Sequence, residues 1–406
     1  MQRRKEHVHG GGRMNPVEIV PGIQWVGVLD TQLRVFDVIM EAKHGTTYNS
    51  YLVRGRDKVA LIDASKAAFA ETFLETLRPA IDPAAIDYMV CNHLEPDHSG
   101  ALVDVLDVAS KAQVVVTKPG RTLLRALLNR DVKPTVAGEG DRVDLGGKTL
   151  RFVMAPFLHW PDTMFTYLEE DQVLFSGDFL GAHYCDPRLF NDLIPNYDDA
   201  FRYYFQVIMR PFKEYVRQAL DKIESLPIKV VCPVHGPILR TDIGRYIDMY
   251  RAWSAEPPGP KKQRLLVFFV SSYGNTERMA HAIGRGIREA GADAEVVDLT
   301  KVDVRTRLDD IEAAEGMVVG TCTINGDALE HAWSLLSALT TIKLKDKLGA
   351  TFGAFGWSGE GPLMLAERMK GLKFRVPEEP LRVQLVPTDA DLRSCEEYGK
   401  RLVAAL

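Results

Sequence analysis

The sequence predicts two α/β domains, the second of which is a doubly wound parallel sheet. Three observations predict this arrangement: a Pro/Gly-rich seam at 256–262, a continuous apolar run directly after it, and a regular alternation of apolar strands and helices from there onward. The 406 residues are enough for two domains that each bury their own core.

The C-terminal domain is predicted over 264–406, after a linker at 257–263. The run 265–270 (LLVFFV) is typical of a parallel strand covered on both faces. Five strands separated by helices predict a doubly wound sheet. The remaining strands are predicted at 294–298, 316–320, 349–355 and 381–386, and the helices at 276–290, 306–313, 328–340, 362–370 and 389–405.

The N-terminal domain is predicted over 14–256 and has a more mixed pattern. Strand pairs around 142–154 and 164–176 favour sheets covered by helices over a single βαβ series. Residues 1–13 are basic and lack the apolar core of a signal peptide, so a disordered leader is expected there. Short strands are interleaved with helices at Val59–Ile62, Tyr88–Cys91, Gln113–Val116 and Leu150–Val153.

Composition narrows the functional classes. A net charge of -5 provides no global basic field, which disfavours nucleic acid and anionic membranes as partners. No apolar run reaches the length of about 18 residues that a membrane span needs. The five cysteines are scattered and never spaced as C-x-x-C, so neither a disulfide framework nor an iron–sulfur module is expected, and the setting predicted is a reducing cytoplasm.

Four potential metal ligands fall in one loop beyond a predicted strand at 86–91. His93, Glu95 and Asp97 alternate, and alternate residues of an extended loop point the same way. His98 is adjacent to Asp97 and could face a second metal. Several costly polar groups beside buried strands need partners or a metal.

Three other predicted strand ends carry further candidates. His159 follows the strand at 149–154, Asp178 follows 173–177, and His235 follows 229–233. Together with the loop they provide seven ligands, the number that a two-metal site requires if one carboxylate bridges. The sequence therefore predicts a two-metal centre.

Three loops of the C-terminal domain predict a flavin site. The first loop follows the strand 265–270 and opens a helix, and it contains no lysine, which favours a phosphate-binding loop and disfavours a nucleoside triphosphate. The second loop follows the strand 316–320, and the third follows the strand 349–355. Ligands of doubly wound sheets bind beyond the carboxyl ends of the strands, and Trp357 could stack on an isoalloxazine ring. The candidate FMN-binding residues are Ser271, Ser272, Tyr273, Gly274, Asn275, Thr276, Thr321, Cys322, Thr323, Ile324, Asn325, Gly326, Gly356, Trp357, Ser358 and Gly359.

The order H-x-E-x-D-H, then His159, Asp178 and His235, resembles the flavodiiron proteins. The neighbouring segments 159–162 (HWPD) and 45–52 (GTTYNSYL) extend the resemblance, and the C-terminal domain resembles their flavodoxin-like domain over essentially its full length. The resemblance implies a metallo-β-lactamase-like αββα sandwich in the N-terminal domain. Many members have a His after an aromatic residue near the N-terminus; this chain has Phe36-Asp37 there.

The resemblance also implies a ligand assignment. One iron is expected to bind His93, Glu95 and His159, and the other Asp97, His98 and His235, with Asp178 bridging. Related hydrolases typically carry a second His where this chain has Glu95. Mixed imidazole and carboxylate ligands suit redox iron, so Glu95 favours iron over zinc.

These sites together predict a flavodiiron oxidoreductase that reduces O₂ to water, NO to N₂O, or both, with FMN relaying the electrons. The chain ends soon after the helix 389–405, so an external donor is expected: a rubredoxin-like protein, a reduced deazaflavin or a separate reductase. The resemblance implies a head-to-tail homodimer or a homotetramer. The alternatives are a zinc hydrolase fused to a flavodoxin-like domain, and a non-catalytic electron carrier.

Overall fold

Two sheets packed against each other form the centre of the N-terminal unit, as the resemblance implied. The first has seven strands, in the spatial order Thr135–Ala137, Gln113–Thr117, Tyr88–Val90, Val59–Ile62, Tyr51–Arg54, Ile23–Trp25 and Val17–Val20. The second has five, in the order Arg142–Asp144, Thr149–Met154, Met164–Leu168, Val173–Gly177 and Val230–Pro233. The computed structural model describes residues 11–12, 14–256 and 262–406.

Side chains from both sheets form the layer between them. Ile62 and Val115 of the seven-stranded sheet belong to the same buried cluster as Phe152, Phe175 and Cys232 of the five-stranded sheet. A second, larger cluster joins the outer faces of the sheets to the helices. These helices are Ala70–Leu77, Pro96–Ser99, Leu102–Val108, Lys118–Leu128, Asp198–Tyr204, Lys213–Glu224 and Ile243–Ser254, with 3-10 turns at Ala67–Phe69, Pro83–Ala85 and Arg210–Phe212 and a π-helical turn at Phe205–Met209.

Two smaller sheets complete this unit. A hairpin pairs Val35–Phe36 with Met40–Glu41. The other sheet contains Gly11–Gly12, Val28–Asp30 and Thr46–Tyr48. Gly11 and Gly12 are thus paired with a strand, which corrects the prediction of a disordered leader for these two residues; the rest of that leader lies outside the described residues, as does 257–261 of the predicted linker.

The C-terminal unit is a five-stranded, all-parallel sheet. Its spatial order, second-first-third-fourth-fifth along the chain, is the doubly wound order typical of flavodoxin-like folds. The strands in that order are Asp293–Asp298, Arg264–Phe269, Gly316–Gly320, Leu348–Phe355 and Leu381–Gln384. The helices are Asn275–Glu289, Leu308–Ala313, Glu330–Ala338, Glu360–Gly371 and Asp389–Ala404, with 3-10 turns at Val304–Arg307 and Leu339–Thr341.

Buried clusters on both faces of this sheet explain its uniformly apolar strands. Leu266 and Phe268 contribute to one cluster, and Leu265, Val267 and Phe269 to the other. The chain forms two compact units, Met1–Ala255 and Glu256–Leu406. Among the helices in the described part of the chain, none is long and apolar enough to cross a membrane.

Two elements of the C-terminal unit have bounds that differ from the predicted ones. The last strand ends at Gln384, because Leu385 adopts a positive φ of 56° that breaks the extended backbone. The helix predicted at 328–340 begins only at Glu330, because 327–328 pairs with Thr323–Ile324 in a short hairpin. Its turn, Asn325-Gly326, has positive φ at both residues, a signal for a hairpin that the sequence contained.

Candidate metal centre and flavin-binding loops

The ligand-rich loop is extended only as far as Glu95. Pro96 begins a one-turn helix, Pro96–Ser99, since proline is favoured at the first helical position. The prediction that Asp97 lies in an extended loop is therefore wrong: Asp97 and His98 lie on a helical turn. His93 and Glu95 still face the same side, with 3.5 Å between His93 Nε2 and Glu95 Oε2.

One group of candidate ligands surrounds Glu95. His159 Nε2 lies 2.8 Å from Glu95 Oε2. The same His159 nitrogen lies 3.5 Å from Asp178 Oδ2, and His93 Nε2 lies 3.0 Å from that oxygen. His93 and His159 therefore both approach one oxygen of the Asp178 carboxylate, and both also contact Glu95.

A second group surrounds Asp97. His235 Nε2 lies 2.8 Å from Asp97 Oδ2, and His98 Nε2 lies 3.6 Å from Asp97 Oδ1. His235 Nε2 also lies 3.6 Å from Asp178 Oδ1. The two oxygens of Asp178 thus face different groups, an arrangement that allows this carboxylate to bridge two cations. The groups approach closely: His93 Nε2 and His98 Nε2 are 2.9 Å apart.

The carboxylates of the centre are held ionised by the histidines. Burial by itself would raise the pKa of Glu95, but hydrogen bonds from His159 and His93 bring it below its usual range. The pKa of Asp178 is lowered in the same way, against burial, chiefly by the charge of His93. A metal ion binds ionised carboxylates, so these groups fit a cation.

The pKa values of the imidazoles differ more from one another than those of the carboxylates. The hydrogen bond to Asp97 outweighs burial and raises the pKa of His235 to about 9. Burial and the charge of His93 lower the pKa of His98 to about 4. Metal-free protein therefore carries protons on some of these rings, and a metal ion that binds them must displace those protons.

Buried polar groups fix the orientation of the ligands. The Nδ1–H of His235 donates to the carbonyl oxygen of Thr47 at 2.6 Å, which leaves Nε2 for a metal. Asp63, 2% exposed, accepts hydrogen bonds from the backbone N–H of Asn92 at 2.8 Å and from its Nδ2 at 3.1 Å. Asn92 directly precedes His93, so Asp63 positions the start of the ligand loop.

Two further residues beside the centre, Tyr204 and His183, were not predicted as site residues. Tyr204 donates a hydrogen bond to Asp178 Oδ1 at 2.7 Å. His183 stacks against Phe36 with ring centroids 4.2 Å apart and lies 5.4 Å from His235. An imidazole thus stands near the centre although Asp37 occupies the position where many relatives have a histidine. The sequence contained one signal for His183, its position five residues after Asp178. It contained no signal for Tyr204.

The three predicted flavin loops come together at the carboxyl edge of the C-terminal sheet. Ser272 Oγ lies 3.3 Å from Cys322 Sγ, which joins the first loop to the second. The N–H of Ala354, at the end of the third loop's strand, donates to Thr276 Oγ1 at 3.3 Å. The first loop turns at Gly274, whose φ of 79° is unfavourable for residues with a Cβ. Ser271, Tyr273 and Asn275 lie in this loop and the first helical turn.

The second and third loops differ in exposure. In the second loop, Thr321 is buried and its Oγ1 accepts the N–H of Leu329 at 3.1 Å, so this hydroxyl shapes the loop from inside. Thr323 Oγ1 accepts the N–H of Gly361 at 3.2 Å, and the tip is formed by the exposed Ile324 and Asn325 and the half-buried Gly326. In the third loop, which contains Gly356, Ser358 and Gly359, Trp357 is 83% exposed and therefore is not a core residue.

Family models match both halves of the chain. The model described as ODP family beta lactamase matches residues 46–236, and the flavodoxin model matches residues 267–399. These two matches account for the αββα sandwich and for the doubly wound sheet.

Relatives match nearly the whole chain. The type A flavoprotein fprA of Rhodobacter capsulatus is 45% identical over 401 residues, covering 96% of this chain and 92% of the relative. The flavo-diiron protein FprA2 of Clostridium acetobutylicum is 38% identical and covers 95% and 98%. The nitric oxide reductase of Moorella thermoacetica is 36% identical and covers 96% and 99%.

A solved structure shows the same two-domain arrangement along the chain. The rubredoxin oxygen:oxidoreductase of Desulfovibrio gigas aligns with a TM-score of 0.70 and 28% identity, covering 96% of this chain and 98% of that one.

Proposed function

We infer the function of this chain from its family, because the chain belongs to the flavodiiron proteins. It is an oxidoreductase with FMN and a two-iron centre, which reduces O₂ to water, NO to N₂O, or both. Its electrons come from an external donor. Its relatives include both a nitric oxide reductase and a rubredoxin oxygen:oxidoreductase, so uptake of both gases is to be measured.

The position of Asp178 carries our proposal for the metal ligands. We propose that one iron binds His93, Glu95 and His159, that the other binds Asp97, His98 and His235, and that Asp178 bridges them. This assignment is supported by the distances of 3.0 Å from His93 to Asp178 Oδ2 and 3.6 Å from His235 to Asp178 Oδ1. Asp97 Oδ1 is buried without a hydrogen-bond partner, which suits a metal ligand.

The donor set favours iron over zinc. Mixed imidazole and carboxylate ligands, with Glu95 in one group and Asp97 in the other, suit redox iron. Three carboxylates and four imidazoles offset most of the charge of two ferrous ions. The zinc-hydrolase alternative shares the lactamase-like fold, but such hydrolases typically carry a second His where this chain has Glu95.

We propose that FMN binds across the three loops of the C-terminal unit, with its phosphate at the start of the helix Asn275–Glu289. When bound, FMN accepts two electrons and passes them on singly, and the irons bind and reduce a small diatomic gas. The helix N-terminus and the hydroxyls of Ser271, Ser272 and Thr276 suit a phosphate.

The chain's own residues prepare the metal centre for proton-consuming chemistry. Tyr204 keeps an O–H directed at Asp178, so a proton lies next to the proposed bridging carboxylate. The buried rings of Phe36 and His183 form a wall beside His235 and limit the access of bulk water.

Exposed apolar side chains support a head-to-tail dimer. Val38 and Ile39, at the turn of the hairpin that carries Phe36, are 92% and 77% exposed. Around the flavin loops, Tyr273 and Trp357 are also exposed. We propose that the hairpin tip of one subunit packs on the flavin loops of its partner, since such apolar patches mark interaction sites. A Val38→Asp variant should then sediment as a smaller species, whereas Val136→Asp, on an exposed edge strand, should not.

We further propose a cytoplasmic location and a donor of the rubredoxin, deazaflavin or separate-reductase class. Five free cysteines in the described residues suit a reducing compartment.

The function is tested by gas consumption. Iron- and FMN-loaded protein is mixed anaerobically with a reduced rubredoxin-like donor, and O₂ or NO uptake is followed at an electrode. Uptake should be lost in His159→Ala and retained in His331→Ala, a control in an exposed helix of the other unit. Stoichiometric zinc with thioester or lactam hydrolysis, and no gas uptake, would establish the hydrolase instead.

A further inference from the structure

A line of oxidisable and aromatic side chains begins at the proposed bridging carboxylate. Tyr204 is 1% exposed, its ring lies 6.3 Å from that of His235, and its hydroxyl donates to Asp178 Oδ1 at 2.7 Å. Tyrosine and tryptophan are the aromatic side chains that lose one electron most readily. Tyr204 is therefore an oxidisable group in direct hydrogen-bond contact with the metal centre.

The helix that carries Tyr204 presents phenyl rings on its other side. Tyr204 is directly followed by the π-helical turn Phe205–Met209, a local distortion that is frequent at functional sites. Phe205 lies 5.0 Å from Tyr250 and 5.3 Å from Trp253, measured between ring centroids. Phe201, one turn earlier, lies 5.2 Å and 5.7 Å from the same two rings. Tyr204 is thus followed directly in the chain by Phe205, a ring that packs on the neighbouring helix.

Trp253 is where this line reaches the surface of the N-terminal unit. Trp253 is half-buried, and its ring lies 6.1 Å from that of Tyr250, one helical turn away. The guanidinium of Arg202 lies 5.4 Å from the centre of the indole. Burial raises the pKa of both Tyr204 and Tyr250, but the Tyr204 hydroxyl donates to a carboxylate oxygen that can take its proton. Trp253, with access to solvent, is the better final electron source.

We propose that Tyr204 and Trp253 form an exit route by which oxidising equivalents leave the metal centre when too few electrons are available. The proposal rests on the proposed function, because the oxidant is the centre after reaction with O₂. Reduction of O₂ to two water molecules takes four electrons. The two irons together can supply two electrons and FMN can supply two more. A centre that reacts while its flavin is oxidised therefore remains two electrons short.

The transfer balances in electrons and protons. The phenol of Tyr204 gives one electron to the oxidised centre and its proton to Asp178 Oδ1. Trp253 then gives one electron across Phe205 and Tyr250, and Tyr204 recovers its proton from Asp178. Arg202 opposes a positive charge on the indole, so oxidised Trp253 releases its Nε1 proton to solvent. A soluble one-electron reductant of the thiol or ascorbate class, together with a proton from solvent, restores Trp253, and a second passage along the same route supplies the second missing electron.

Two other oxidisable side chains near the centre provide comparisons. The ring of Tyr48 lies 5.7 Å from that of His235, but its other ring contact is with Phe69, which does not oxidise readily. Trp160 lies 6.3 Å from His93 and is half-buried. Trp160 is therefore the competing target: oxidation there would be direct damage at the centre, whereas oxidation at Trp253 requires transfer.

The experiment locates the oxidation by mass spectrometry. Holoprotein is given two electrons per subunit and then O₂, over repeated cycles, with catalase present to remove diffusible peroxide. Trypsin separates Trp253, in the peptide 252–261, from Trp160, in 152–188, and from Trp333, in 308–343. Trp333, half-buried in the other unit, reports oxidation that does not depend on the route.

The proposal expects oxidised Trp253 well above the level of Trp333, and its fall to that level in Tyr204→Phe, compared per O₂ consumed. Trp253→Phe should keep the initial rate of gas uptake, accumulate oxidised Trp160 and lose activity in fewer turnovers, whereas Tyr48→Phe should leave the Trp253 signal unchanged. Addition of ascorbate should lower oxidation at Trp253 in the wild-type protein.

Three results would overturn the proposal: Trp253 no more oxidised than Trp333, oxidation of Trp253 that persists in Tyr204→Phe, or Trp253→Phe protein that survives as many turnovers as the wild type. Failure of the wild-type protein to consume O₂ would instead overturn the proposed function, so the two failures are distinguishable.

Discussion

The metal centre and the flavin-binding edge both lie beyond the carboxyl ends of strands, but they are built in opposite ways. At the metal centre the charged groups are buried and paired with one another, as in the contact between His235 and Asp97 at 2.8 Å. At the flavin edge the prominent side chains, Tyr273 and Trp357, are 91% and 83% exposed. The proposed metal site is a buried network of paired charges, and the proposed flavin site is exposed to solvent.

This difference determines how strongly each site depends on its individual side chains. A buried charge network requires every partner, since an unpaired buried charge is costly. An exposed edge formed largely by backbone groups tolerates changes in side chains. Substitutions should therefore have large effects at the metal centre, with the flavin unaffected, and smaller effects at the flavin edge, with the irons unaffected.

The largest effect is expected for Asp178→Asn. The amide cannot bridge two cations as a carboxylate does, and the charges of His93 and His235 lose their shared partner. Gas uptake should fall to background and iron should fall below two per subunit, while FMN content stays at one. Iron analysis and flavin absorbance measure both. An active Asp178→Asn protein with two irons would remove the main support for the ligand assignment.

The affinity for iron should depend strongly on pH, whereas that for FMN should not. The pKa of His235 is raised to about 9 in metal-free protein, so iron must displace a proton below that pH. Affinity should rise by up to about tenfold per pH unit for each proton displaced as the pH approaches about 9. Chelator competition at a series of pH values measures the slope; a flat profile from pH 6 to 9 would contradict the pairing with Asp97.

The same pair has an effect of opposite sign on metal-free protein. Because the folded-state pKa of His235 lies above the value of about 6.5 for an unfolded histidine, its stabilisation is complete below about pH 6.5. This contribution to the free energy of unfolding should disappear as the pH rises through about 9.

A smaller loss is expected when the ligand loop is loosened. Asp63→Asn places an amide against the N–H groups of Asn92, which removes at least one of two buried hydrogen bonds. Iron affinity should fall about 10–100-fold, as for other residues that orient ligands. Unfolding titrations should show a loss of about 1–3 kcal/mol, against no change for the exposed Asp57→Asn. Equal iron affinity in both variants would argue against a positioning role.

The mildest effects belong to the flavin edge. Trp357→Ala should change the free energy of unfolding by no more than about 0.5 kcal/mol, because the side chain is exposed. Loss of a stacking partner worth about 0.5–1.5 kcal/mol should weaken FMN binding by up to about tenfold. Fluorescence titration measures this change. Iron content that falls with it would contradict the independence of the two sites.

The sequence predicted which candidate ligands come together better than it predicted the geometry around them. His93, Glu95 and Asp97 could be identified because charged residues beyond a buried strand need a reason to be there. The helical turn at Pro96 was missed, although proline at a first helical position was a visible signal. Tyr204 could not be found, because its contact with Asp178 joins residues 26 positions apart through tertiary packing alone.

The fold followed the same pattern. Uniformly apolar strands and their spacing predicted the parallel sheet of the C-terminal unit, whose strand order depends on packing that a single sequence does not display. The short hairpin at Asn325-Gly326 carried a clear turn signal within a segment interpreted as loop and helix. Local signals thus located elements, while contacts over long sequence distances decided how side chains meet.

Seven residues are proposed to bind two irons, with Asp178 bridging between them. Anomalous diffraction at the iron and zinc absorption edges, from crystals of the metal-loaded protein, tests it most directly. We expect two iron peaks about 3.5–4 Å apart, one beside His159 and one beside His235, with the Asp178 carboxylate between them. A single peak, or peaks that appear at the zinc edge alone, would contradict the account.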